Sequence, residues 1–339
     1  MTEKHYGGDD GRTKGNLPST AKKSPKIPPS KDQKNKNTEL EKSSMFTKEE
    51  IEKLKKAGEI TKEVKKYARS FIKKDTPLLE IAEKIEAKII DLGCLPAFPV
   101  NLSINEIAAH ATPSFNDTEK AHGLLKVDIG VHIEGFIADT AFSLDLENSE
   151  QNKKLIDAAE AALEKATEKI NLGVSLNEIG TIIEKTISSY KVIPIQNLSG
   201  HSIEIYDLHA GITIPNYSNS SLKTIEPGIY AIEPFTTNGL GIVKDGKPSG
   251  IYHLMKEGNV RDNFAREVLQ FIKEEYQTLP FCSRWLYKKF GSRALLAIKR
   301  IEEAGLLHNY SQLIEKNKGI VAQAEHTVII TEKEKIITT

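Results

Sequence analysis

The chain has 339 residues, with 47 basic and 47 acidic side chains and 39% hydrophobic residues. The charge balance excludes a global electrostatic pull toward nucleic acid or acidic lipid. Two distant cysteines, Cys94 and Cys282, exclude a disulfide scaffold and a cysteine zinc cluster. No apolar run approaches the ~18 residues of a membrane span and Met1 opens no secretory signal, so a soluble, cytoplasmic globular protein is expected.

Residues 1–44 differ in kind from the rest. After Met1 their only branched aliphatics are Leu17, Ile27 and Leu40, and 10 Lys or Arg stand against 6 Asp or Glu. Such a stretch cannot bury enough apolar surface to offset its ordering entropy, and it reads as a disordered polar extension. It is a solvated tail, a stretch upstream of a true start at Met45, or a weak tether to RNA or the ribosome.

Helices open the core, residues 45–339. Thr47 and Glu50 form a capping box before a stripe of Ile51, Leu54, Ile60, Val64, Ala68 and Phe71. Thr76-Pro77 reads as an N-cap followed by proline at the first helical position, with Ile81, Ile85 and Ile89 inward and Gly93 closing the helix. A hundred residues later the pattern recurs. Leu155, Ala159, Ala162, Ala166 and Ile170 form one stripe, and a second capping box, Ser175 to Glu178, precedes Ile179, Ile182, Ile183 and Ile187. A β-rich stretch follows each pair, which points to an internal duplication.

The β regions alternate as strands do. Residues 125–129 and 135–144 flank Glu134-Gly135 as an antiparallel hairpin. Further strands are expected at 228–233 and, without a break, at 320–330. Between them, residues 261–307 read as a helical insertion.

Carboxylates interrupt these apolar strands: Asp128, Asp139, Glu233 and Glu325. Buried acids need basic partners or a cation, and Lys126, on the face of Asp128, is the main basic candidate. His201, His209 and His110 occupy similar apolar contexts. Oxygen donors with one imidazole suit Mn, Fe, Co or Zn. Either a metal site or a structural charge network satisfies the pattern.

The same residues resemble the five ligands of the methionine aminopeptidases: Asp128, Asp139, His201, Glu233 and Glu325, within Val-Asp-Ile-Gly-Val-His-Ile-Glu-Gly-Phe-Ile-Ala-Asp-Thr-Ala, Leu-Ser-Gly-His-Ser-Ile, Tyr-Ala-Ile-Glu-Pro-Phe and Glu-His-Thr-Val. The resemblance covers about residues 45–339 and implies the α+β pita-bread fold shared with prolidase and aminopeptidase P. That fold has pseudo-twofold helix pairs packed on antiparallel sheets. The stretch at about 246–318 looks like the helical insertion of type 2 enzymes, of archaeal rather than eukaryotic character.

The resemblance also implies roles. Asp139 and Glu325 would bridge two divalent ions (Co, Mn, Fe or Zn), Asp128 would chelate one, and His201 with Glu233 would hold the other. Glu233 would carry a proton, and His209 and His110 would face the substrate. Phe98, Asn101, Leu208, Tyr310 and Leu313 would line a methionine pocket. Two departures from the family pattern, Ala324 and Ala111, would loosen the pocket edge. The implied activity is removal of the N-terminal methionine from peptides and nascent chains by a monomer. A prolidase-like exopeptidase would carry a large folded N-terminal domain, which 44 polar residues cannot form, and a non-catalytic relative would lack ligands.

Overall fold

The computed structural model describes residues 45–339; the expected disordered extension over 1–44 lies outside them. The first half runs α1 (Lys48–Phe71), α2 (Leu78–Asp91), β1 (Leu95–Pro96), β2 (Asn101–Ile104), β3 (Ile107–Ala109), β4 (Leu124–Ile133) and β5 (Phe136–Asp145). The second runs α3 (Glu150–Lys169), α4 (Leu176–Ser189), β6 (Ile193–Pro194), β7 (Ser199–Ile203), β8 (Thr213–Pro215), β9 (Gly228–Ile232) and β10 (Phe235–Thr237). Then come β11 (Val243–Leu254), α5 (Asn263–Glu275), β12 (Phe281–Cys282), α6 (Ser283–Phe290), α7 (Arg293–Glu303) and β13 (Leu307–Glu315). The chain ends with β14 (Val321–Gln323), β15 (His326–Ile330) and β16 (Lys335–Ile337).

Both capping boxes form. In each, a hydroxyl accepts from the backbone N–H three residues on, and the glutamate there accepts from the cap's own N–H. The expected cap at Thr76 does not form. Pro77 is itself the N-cap and α2 starts at Leu78, while Thr76 Oγ1 accepts from Lys73 N. The Leu78 N–H, which a Thr76 cap would have claimed, donates instead to Glu119 O.

The duplication extends to backbone detail. α2 and β1 begin at residues 78 and 95, α4 and β6 at 176 and 193, and each short strand is an apolar residue followed by proline. The residue before each second helix bridges a later loop, Pro77 with Lys120 and Ser175 with Thr224. Two hydrophobic cores follow. Val64, Ile81, Ile85 and Ile89 pack on Val127 and Ile129, while Leu155, Ile179, Ile183 and Ile187 pack on Tyr230 and Val328.

β4 pairs with β5 along one edge and with β1 and β2 along the other. Glu134 and Gly135 both take positive φ (51° and 86°), the conformation a two-residue hairpin turn requires. A five-stranded sheet, in the order β16-β15-β9-β7-β8, belongs to the second half. The continuous strand expected over 320–330 is split: β14 pairs with β10 in a three-stranded sheet and β15 with β9 in the five-stranded one. Proline is the physical cause. Pro234, between β9 and β10, has no N–H to extend the ladder, so both paired chains change sheets at the same level.

Helices α5–α7 close their own core around Val268, Ile272, Leu286 and Ile298. A buried ion pair ties this block to α2. Arg284 donates from Nη1 to Glu86 Oε2 (2.6 Å) and from Nη2 to Oε1 (2.7 Å), and from Nε to Pro113 O (3.1 Å). Trp285 Nε1 adds a bond to Glu86 Oε2 (2.9 Å).

Candidate metal centre

Where the two halves meet, all five acid and imidazole side chains face one cavity of about 200 Å³. Asp128 lies opposite Ala141 and Asp139 opposite Gly130 in the hairpin, so the two aspartates are diagonal neighbours on one face. His201 lies in the middle of β7, between β8 and β9. Glu233 and Glu325 sit one step beyond the last β9–β15 pair, Ile232 with His326, where the chain switches sheets. The two glutamates are therefore not within strands, as read from sequence, but in the gap the switch opens.

Donor atoms of Asp139, His201 and Glu325 lie within 4.8 Å of one another. His201 Nε2 is 3.9 Å from Asp139 Oδ2 and 3.9 Å from Glu233 Oε1. Gln323 Nε2 donates to Glu233 Oε2 (3.2 Å) and orients that carboxylate. Burial pushes every carboxyl up: Asp128 to about 7, and Asp139, Glu233 and Glu325 well above the usual range, with repulsion from neighbouring carboxylates adding to it in these last three. Burial and the neighbouring His209 push His201 down to about 3, which leaves a neutral imidazole able to ligate.

Lys126 does not neutralise this cluster. Its ammonium turns away and donates to the carbonyls of Asn105 (2.9 Å) and Val321 (2.8 Å). Lys65 approaches from behind, donating to Thr140 Oγ1 (3.0 Å) and lowering Glu325 only weakly. Asp128 Oδ1 and Asp139 Oδ1 are buried without a hydrogen-bond partner. Two buried acids (Asp139, Glu325) and two half-buried ones (Asp128, Glu233), two of the four with orphaned oxygens, and one neutral imidazole beside them fit divalent cations and do not fit an internally satisfied charge network.

The remaining sequence-predicted residues, Phe98, Asn101, His110, Leu208, His209, Tyr310 and Leu313, line the same cavity. His110 follows β3 with φ 58°, a sparsely populated conformation for a residue with a side chain; its Nδ1 lies 3.3 Å from Ser311 O. Burial lowers its pKa to about 4. Tyr310 packs edge-on to His110 at 5.2 Å. His209, exposed at the mouth, lies 4.4 Å from the His201 ring. Phe98 rests directly on the backbone of Gly130, where a Cβ would overlap its ring.

Sequence reasoning missed the lining residues Leu198, Phe235, Ile251 and Pro280. Leu198 and Phe235 stood in the quoted Leu-Ser-Gly-His and Glu-Pro-Phe words, while Ile251 and Pro280 arrive from the insertion, whose sequence does not show that it reaches the cavity. Ala324 and Ala111, expected to loosen the pocket, do not line it. Ala324 borders a cavity beside Arg69 and Phe142, and Ala111 one beside Leu102 and Ile104. Ala324 adjoins inward-facing Glu325, so its side chain is directed elsewhere.

Residues 52–332 match the metallopeptidase family M24. A methionine aminopeptidase of Thermococcus onnurineus is 48% identical over 296 residues, 86% of this chain and 100% of that protein. Among solved structures, a thermophilic Arx1 superposes with a TM-score of 0.74 at 15% identity, covering 86% of this chain and 91% of that one. A methionine aminopeptidase of Thermotoga maritima superposes with a TM-score of 0.63 at 22% identity, covering 87% and 98%. These likenesses place the architecture in the pita-bread fold. Matched along nearly all of its described residues, the chain belongs to metallopeptidase family M24 and, within it, to the methionine aminopeptidases.

Proposed function

We propose that this protein removes the N-terminal methionine from peptides and nascent chains, using two divalent ions drawn from Co, Mn, Fe and Zn. The convergence of five ligand-type side chains, two with orphaned oxygens, at the floor of an apolar-walled cavity carries the reading. Asp139 and Glu325 would hold both ions, Asp128 one, and His201 with Glu233 the other. Bound there, such ions supply a nucleophilic water at neutral pH and an anchor for a free amine.

The protein's own groups do the rest. Glu233, steadied at Oε2 by Gln323, is placed to take up the proton of the attacking water and pass it to the leaving amine. His209 is placed to donate to the developing oxyanion, and His110 to hold the scissile amide. Phe98, Leu208, Tyr310 and Leu313, with Phe235 and Ile251, offer an apolar slot for an unbranched side chain, and Asn101 lines its edge. Such a slot discriminates by only about 1–3 kcal/mol per methylene, so norleucine-like residues leak through.

The test is peptide cleavage by metal-stripped protein with each metal returned singly. Substrates are Met-Ala-Ser, its N-acetylated form and Ala-Pro. Methionine release from the free-amine peptide alone, restored by metal, is the expected result. Cleavage of Ala-Pro instead moves the chain to a proline-directed activity, and no cleavage with any metal defeats the enzyme reading. We further propose a cytoplasmic monomer whose Lys-rich residues 1–44 tether it weakly to the ribosome. Salt-sensitive co-sedimentation that disappears on removing residues 1–44 is the expected result.

A further inference from the structure

The outer edge of β5, opposite the edge paired with β4, faces residues 323–327, and the two chains do not form a ladder there. One link is direct, Glu325 N to Ala141 O at 3.0 Å. Every other link passes through a hydroxyl. Ser143 Oγ donates to Gln323 O (2.8 Å) and accepts from Gln323 N (2.9 Å). Thr140 Oγ1 donates to Glu325 O (2.8 Å). Thr327 Oγ1 accepts from Asp139 N (2.8 Å) and donates to Asp139 O (2.9 Å).

Neighbouring strands in a ladder stand about 4.8 Å apart, a spacing set by direct N–H to O=C bonds. A hydroxyl placed between the two backbones adds an atom and a second hydrogen bond, and so holds them further apart. A hydroxyl is also the smallest group that donates and accepts at once, so no backbone group is orphaned by the wider spacing. Thr140 and Thr327 are fully buried and Ser143 nearly so, and each both donates and accepts, Thr140 taking its second bond from Lys65. The seam joins the first half of the molecule to the second at the level of Asp139 and Glu325.

We propose that Thr327, Thr140 and Ser143 are positioning residues: their hydroxyls act as spacers that set the separation of the Asp139 and Glu325 carboxylates, and with it the separation of the two ions those carboxylates share. The inference rests on the two-ion reading above. Thr327 is the most direct of the three, because both of its bonds end on the backbone of Asp139 itself.

The test uses the full chain, metal-stripped and reloaded with two equivalents of Mn²⁺. The readouts are the exchange-coupled electron paramagnetic resonance signal of an ion pair and the two-step binding isotherm. In Thr327→Val the volume is kept and both hydroxyl bonds are lost. The coupled signal is expected to shift or vanish and the weaker ion to bind about 10- to 100-fold less tightly, with Thr327→Ser restoring both. Ser143→Ala should move the same readouts less. Thr61→Val deletes an equally buried hydroxyl bonded to Ala57 O in α1 and should lower the melting temperature alone. Wild-type coupling and affinity in Thr327→Val, or in Ser143→Ala where the first variant does not fold, overturns the proposal, as does an equal spectral change in Thr61→Val. A wild-type protein that binds one ion, or two uncoupled ones, overturns the two-ion reading itself.

Discussion

Replacing Glu86 by Gln should unsettle the substrate pocket from a distance. Glu86 spends all its acceptor capacity in the buried junction between α2 and the insertion: both Arg284 nitrogens, Trp285 Nε1, and the Val100 N–H at 3.3 Å. Gln keeps the volume, but its NH₂ must point at another donor, either the guanidinium or the indole. Arg284 is 0% exposed, so its charge is left buried with no counter-charge, held by one amide oxygen, the Pro113 carbonyl and the Thr112 hydroxyl. Breaking one side of a buried ion pair costs about 3–5 kcal/mol. At roughly 2–4 °C per kcal/mol for a domain of this order, the melting temperature should fall by about 6–20 °C.

The functional consequence is separable from the structural one. Arg284 anchors the block whose strands and loops bring Ile251, Pro280, Tyr310 and Leu313 to the cavity wall, whereas all five metal-ligand candidates lie outside that block. KM for a methionyl peptide should therefore rise while the metal-binding isotherm stays unchanged. Glu86→Gln combined with Arg284→Met should destabilise by much less than the sum of the single changes, because removing both charges leaves none unpaired. A loss below about 1 kcal/mol in Glu86→Gln, or full additivity in the double variant, refutes the reasoning.

Metal affinity should rise with pH between about 6 and 8. Burial raises all four carboxyls, Asp128 to about 7 and Asp139, Glu233 and Glu325 well above the usual carboxylate range, so protons compete with the ions as the pH falls through neutrality, whereas His201, at about 3, is already neutral. Calorimetry in two buffers of different ionisation heat should show proton release on metal binding at neutral pH; a flat affinity with none released contradicts the assignment. Gly130→Ala should push Phe98 off its seat, at a cost of about 1–3 kcal/mol, and raise KM more than it lowers kcat. If His209 donates to the oxyanion as proposed, His209→Ala should lower kcat by roughly 10²- to 10³-fold with little change in melting temperature, because the residue is exposed.

Local signals in the chain were decisive where local physics decides. The capping boxes at Thr47 and Ser175, the alanine stripe of α3 and the hairpin turn at Glu134-Gly135 are each set by residues a few positions apart. Acids among apolar residues pointed to the centre because burying them unpaired is costly, and all five candidates converge. The failures share a different cause. Thr76 is a good cap by type, but the N–H it would have capped bonds a loop more than forty residues away. Lys126 was on the right face, yet whether its ammonium reaches Asp128 or two carbonyls depends on where Val321 passes. The break at Ala324 follows from Pro234, ninety residues upstream, and Ile251 and Pro280 reach the cavity through the docking of the insertion, by the β11-β13-β3 sheet and the Glu86–Arg284 pair.

The distribution of functional groups over the fold assigns different properties of the site to different interfaces. Asp128 and Asp139 come from the first half; His201, Glu233 and Glu325 come from the second. Neither half holds a complete ligand set, so the centre exists only when the halves dock, and its dimensions are a property of the seam. Part of the apolar wall comes instead from the insertion, which has its own core and joins the first half through the pairing of β13 with β3 and the buried Glu86–Arg284 ion pair. A change that loosens the insertion alters which side chain fits, and one that alters the seam changes the spacing of the ligands. The Glu86–Arg284 pair and the seam hydroxyls share no hydrogen-bond partner, so the effects of substitutions at the two should add. Specificity can therefore vary along this fold without disturbing the chemistry beneath it.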